Sequence, residues 1–128
     1  MPELNQQQFK TAGEIVANYR PNDRLPKDKS DDAVWARKLK AAKTGNDMVL
    51  GLDPVRTGSL HDHIRERGIT SPVILQRDAP EGERPALLDG HSRIAVQHDV
   101  DSSAPVPIEY AKDMAEARAM RNARRKRR

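Results

Sequence analysis

A small α/β domain is what the sequence predicts, and three observations predict it. Capping signals recur along the chain, at Thr11–Glu14, Ser30 and Ser59–Asp62, and each opens a run with helical spacing. After them come short β-rich apolar runs, Val73-Ile74-Leu75, Ala86-Leu87-Leu88 and Val106-Pro107-Ile108, bounded by Gly, Pro or Asp. Finally, 128 residues that are 36% hydrophobic, with only Phe9, Tyr19, Trp35 and Tyr110 as aromatics, can bury one modest aliphatic core plus a tail.

In chain order, residues 1–10 are polar and Gln-rich and read as a frayed end. Thr11 and Glu14 have capping-box spacing for a short helix, and residues 21–26, with two prolines, read as a turn-rich linker. Ser30 is the expected N-cap of the next helix. Asp31 and Asp32 place negative charge in its first turn, Trp35, Leu39 and Ala42 share a stripe, and Gly45 stops it. Met48 to Leu52 reads as a strand or an apolar connection. Ser59 opens a helix with Leu60 and Ile64 inward, which ends at Gly68. Residues 71–76 form a strand, 77–85 a polar loop, and 86–88 its partner strand. Asp89-Gly90 ends that strand, and 91–98 is helical with Ile94 and Ala95 inward. Residues 106–110 read as an edge strand, because Pro107 cannot donate to a central ladder. A last helix begins near Lys112.

Several function classes drop out at once. With no cysteine, there are no disulfides, thiolate zinc sites or thiol catalysis. No stretch approaches the roughly 20 apolar residues of a spanning helix, and the N-terminus lacks a basic-then-apolar leader, so a soluble, cytoplasmic protein is expected. The net charge of +4 is uneven: residues 118–128 carry seven positive charges and no negative one, whereas residues 1–117 carry a net −3. Such a block either stays solvated or binds polyanions without sequence preference, with a salt slope of about −0.9 per phosphate contact on duplex DNA. Arg121, Arg124, Arg125, Lys126, Arg127 and Arg128 are its candidate nucleic-acid contacts.

The segment Asp89-Gly90-His91-Ser92-Arg93 carries the most chemistry. A strand that breaks at a glycine and feeds a helix points backbone N–H groups at one spot, with the positive end of the helix dipole behind them. Gly90 permits close approach to the backbone, and Arg93, one turn in, can fork onto a phosphate. The same residues also fit a plain capped turn with a solvated arginine. His91 and Asp89 are candidates for base and orienter in hydrolysis, while a His91 that merely bonds across the turn fits equally well. His61 and His63 diverge by about 200° on a helix and are not expected to share a metal ion; no metal site is predicted.

The order and spacing of these pieces resemble the ParB/sulfiredoxin-like domain family. The resemblance is carried by Ser59-Leu60, Ile64, Gly68-Ile69, Pro72-Val73-Ile74, then Leu88 to Ala95, then Val106-Pro107-Ile108, and it spans residues 58–110. It implies a mixed sheet of about four short strands with helices packed around it. It also implies a CTP- or ATP-type ligand, with Mg2+, held between two stretches. Gly90, His91, Ser92 and Arg93 would hold phosphate, and Thr70, Ser71 and Pro72 would border the base or ribose. The departures narrow the activity. Ser92-Arg93 stands where ParB turns usually carry two adjacent arginines, so one phosphate contact is lost or reassigned. Sulfiredoxin chemistry needs a cysteine in this turn and is excluded, and the Glu-Asn-x-x-Arg motif of CTP-switching clamps is absent.

The expected organisation is an N-terminal arm with its capped helix (residues 1–45), a ParB-like domain (46–117) and a basic, disordered tail (118–128). The expected function is nucleotide-phosphate binding by a stand-alone ParB-like domain, with hydrolysis and tail-mediated DNA association as its possible extensions. The alternatives are a non-enzymatic DNA-binding or regulatory protein and a metal-dependent DNA nuclease. A phage or mobile-element accessory protein suits the short chain.

Overall fold

The computed structural model describes residues 8–22, 26–44 and 60–126. Among the described residues ten elements follow one another: β1 (Gln8–Thr11), α1 (Ala12–Asn18), β2 (Arg20–Pro21), α2 (Asp31–Thr44), α3 (Leu60–Arg67), β3 (Val73–Gln76), β4 (Ala86–Asp89), α4 (His91–Asp101), β5 (Pro105–Ala111) and α5 (Met114–Lys126). Local chemistry explains most of the boundaries. Thr11 and Glu14 close a full capping box at α1, each side chain bonding the other's amide at 3.1 Å. Ser30 Oγ accepts from the Ala33 amide at α2, and Asp113 Oδ1 accepts from the Glu116 amide at α5. The expected cap at Ser59 and the expected strand over 48–52 lie outside the described residues.

The strands form a five-stranded mixed sheet in the order β1-β5-β3-β4-β2. β1/β5 and β3/β4 pair antiparallel, β3/β5 and β2/β4 parallel. Three expectations are corrected here. The supposedly frayed start holds β1, which pairs along its length with β5, Gln8 opposite Ile108 and Thr11 opposite Pro105. The turn-rich linker begins with β2, where Arg20 and Pro21 face Ala86 and Leu87. And β5 is an inner strand. Pro107 is tolerated there because it lies in the half of β5 that pairs with β1, opposite Phe9, while the β3 register begins only at Ile108.

Helices cover both faces of the sheet. One cluster joins Val73 and Leu75 of β3, Leu87 of β4 and Val106 and Ile108 of β5 to Ile15, Trp35, Ile64 and Ile94 from α1 to α4. The other joins Ile74, Ala86, Leu88 and Ala111 to Ala117, Met114 and Met120 of α5. Adjacent residues of β3 and β4 therefore point into different cores, and this is why both strands read as unbroken apolar runs. The segment read as an N-terminal arm thus supplies both outer strands and a share of the main core. Most of the segment read as a disordered tail is helical, to Lys126.

Two polar anchors secure the N-terminal part. Trp35 Nε1 donates to the Tyr19 carbonyl at 3.0 Å, and Arg37 forks onto the buried Asp28 carboxylate at 3.0 and 3.3 Å. Burial, together with a hydrogen bond and charge repulsion from Tyr110, pushes the Tyr19 hydroxyl up to about 12.

Candidate functional site

The exit from β4 is built around Gly90, which adopts φ +111°, a left-handed conformation that side chains rarely take. A Cβ at this position would lie 2.6 Å from Val73 Cγ1 and 3.2 Å from Arg93 Nη2. The glycine therefore lets β3 and the helix start pack together. From here α4 begins with no side-chain cap and no acidic residue in its first turn, and the Ile94 amide donates to the Gly90 carbonyl at 2.9 Å.

Arg93 reaches from that first turn to the segment before β3. Its Nη1 donates to the Ser71 carbonyl at 2.6 Å, and its Nη2 lies 3.3 Å from Asp89 Oδ2. The two stretches singled out in the sequence, 70–72 and 89–93, are consequently neighbours, fastened by one guanidinium. Thr70 is exposed, while Ser71, Pro72, Gly90, His91, Ser92 and Arg93 are half-buried.

The second oxygen of Asp89 faces a residue expected in the DNA-binding tail. Arg121 Nη1 of α5 is 3.6 Å from Asp89 Oδ1. The Nε of Arg121 is buried and has no hydrogen-bond partner among the described residues. One carboxylate, 19% exposed, is therefore shared by two guanidiniums, 24% and 43% exposed. Helical spacing was the signal that could have placed Arg121: it follows Ala117, a buried residue, by four positions and so shares its stripe.

His91 is held separately. Its Nε2 accepts from the Asn22 amide at 2.8 Å, and its ring lies 6.2 Å from that of Trp35, tilted by 35°. An accepting Nε2 places the proton of the neutral ring on Nδ1. Asp89 and His91 are thus engaged by different partners: two arginines in one case, a backbone amide and an indole in the other. His91 links the end of β2 to the start of α4, a contact no local motif announces.

Arg124, Arg125 and Lys126 belong to the last turn of α5, and Arg127 and Arg128 lie outside the described residues. His63 is exposed; the side chains of His61 and Asp62 are not among those described. Among the described residues, no group of three or more His, Asp or Glu side chains is placed to hold a metal ion, and no helix is long and apolar enough to cross a membrane. No protein-family model matches the chain, and neither the curated proteins nor the solved structures contain a match.

Proposed function

We propose that this chain carries a ParB-like domain that binds the phosphates of a CTP- or ATP-type nucleotide at the turn Asp89-Gly90-His91-Ser92-Arg93. The observation that carries the reading is the 2.6 Å bond from Arg93 Nη1 to the Ser71 carbonyl. It holds residues 89–93 beside residues 70–72, and that proximity supports a single ligand bordered by both stretches. The start of α4 at Gly90 supports it, since the positive end of a helix dipole favours negative charge beside it. Within this reading Arg93 is the charged clamp and the first-turn amides are the cradle. Thr70, Ser71 and Pro72 border the remainder of the nucleotide, and Mg2+ accompanies its phosphates. His91 and Asp89 are kept as candidate acid/base groups should hydrolysis follow.

The test is thermal unfolding of the full chain with millimolar CTP, ATP or GTP, with and without Mg2+. A bound ligand at a hundredfold excess over its Kd stabilises by about 2.7 kcal/mol, which reads as a rise of several degrees. Arg93→Ala is expected to abolish the rise. An unchanged melting temperature with all three nucleotides overturns the proposal.

A second reading, DNA association through the C-terminal basic block, is favoured by one feature: α5, Met114–Lys126, carries residues 118–126 of that block in a continuous helix, with Arg118 exposed. A helix presents its charges at fixed spacing along a phosphate backbone, whereas a loose tail does not.

A further inference from the structure

Arg121 belongs by sequence to the basic C-terminal block, yet its guanidinium is directed to the carboxylate that Arg93 also holds. We propose that Arg121 is the second prong of the anion site, forming with Arg93 a clamp for a polyphosphate chain, and that Asp89 keeps both prongs in place when no anion is bound. The inference rests on the nucleotide reading above and adds a binding residue that lies outside residues 58–110.

Charge and hydrogen bonding both point this way. Two guanidiniums converge on one carboxylate beside the start of α4, whose dipole favours negative charge there. The carboxylate contacts are long for charge-assisted bonds, 3.3 and 3.6 Å against an ordinary 2.7–2.9 Å, so Asp89 holds neither arginine tightly. Among the described residues the buried Nε–H of Arg121 also has no acceptor, an arrangement that is costly unless something completes it. A phosphate chain supplies several acceptor oxygens at once. It would take Asp89's place on at least one guanidinium and supply acceptors to the Arg121 fork. Because Asp89 competes with the incoming anion, its removal and the removal of Arg121 must act in opposite directions.

That sign difference is the experiment. Binding of inorganic tripolyphosphate and of CTP to the full chain is measured by titration calorimetry for the wild type, Arg121→Ala, Arg121→Lys, Asp89→Asn, Arg93→Ala and the exposed α5 control Arg118→Ala. Arg121→Ala is expected to weaken both ligands about tenfold, a loss of about 1.4 kcal/mol. Arg121→Lys, which keeps the charge and loses the fork, should weaken them less. Asp89→Asn should tighten both, and Arg118→Ala should leave them within twofold. If Arg121 merely braces α5 against Asp89, then Arg121→Ala and Asp89→Asn shift affinity in the same direction or not at all, and the inference falls. Wild-type affinity in Arg121→Ala, with binding lost in Arg93→Ala, overturns the inference and leaves the nucleotide reading standing. No binding of tripolyphosphate, CTP, ATP or GTP by the wild type overturns both. Should Arg121→Ala fail to fold by circular dichroism, Arg121→Lys and Asp89→Asn decide the matter, since each keeps the volume of the original side chain.

Discussion

Gly90 and Arg93 show how one residue's role depends on what faces it. As a sequence, Asp89-Gly90 is a strand-ending turn, and its glycine invites the idea of backbone exposed to a ligand. In the fold the space above Gly90 belongs largely to the Val73 side chain. The glycine is thus required twice over: for its φ of +111° and for the contact with β3. Gly90→Ala is expected to destabilise the protein by about 3 kcal/mol, combining backbone strain and overpacking, read from the denaturant midpoint. Adding Val73→Ala to that variant should relieve the clash but not the strained dihedral, so it cannot restore wild-type stability. A glycine at this turn was legible; its reason was not, because Val73 is remote in sequence. Arg93 was legible in the same partial way. Its position one helical turn after the glycine could be counted, but the Ser71 carbonyl it grips could not.

Among the elements, α5 differs most from its sequence reading. Its apolar side, Met114, Ala117 and Met120, closes the second core against Ile74, Leu88 and Ala111, and Arg121 adds a polar anchor beside it. Cutting the chain after Ala117 would therefore strip packing as well as charge and could not isolate a DNA-binding role. Replacing Arg124, Arg125, Lys126, Arg127 and Arg128 by Gln instead keeps Met114, Ala117 and Met120, the α5 residues of that core. The expected outcome is an unchanged thermal midpoint together with loss of duplex binding, the salt slope falling by about 0.9 for each contact removed. Duplex affinity equal to that of the wild type would reject the second reading. The capped starts of α1 and α2 were more readily anticipated, since a cap and the amide it serves lie within three residues of each other.

For the molecule as a whole, closure is a long-range event. β1 at one end of the described chain pairs with β5 near the other and covers the edge that β5 would otherwise expose. A chain shortened to begin at Ala12 loses that strand and the Thr11 cap of α1 together. Its melting temperature is expected to fall by at least about 5 °C, with aggregation through the uncovered β5. A midpoint equal to that of the full chain would show that β1 contributes nothing to stability.

The sequence by itself determined the helix starts capped by Thr11 and Ser30, the helix stop at Gly68, the Gly90 turn, three of the five strands and the α/β class, because each depends on residues within a few positions of one another. Tertiary structure alone decided that a polar N-terminus becomes an outer strand, that a proline-bearing strand lies inside the sheet, and that Arg121 joins Arg93 on Asp89. Strand partners and ion pairs between distant segments are selected by which surfaces the whole chain must bury together, and no local spacing encodes that choice.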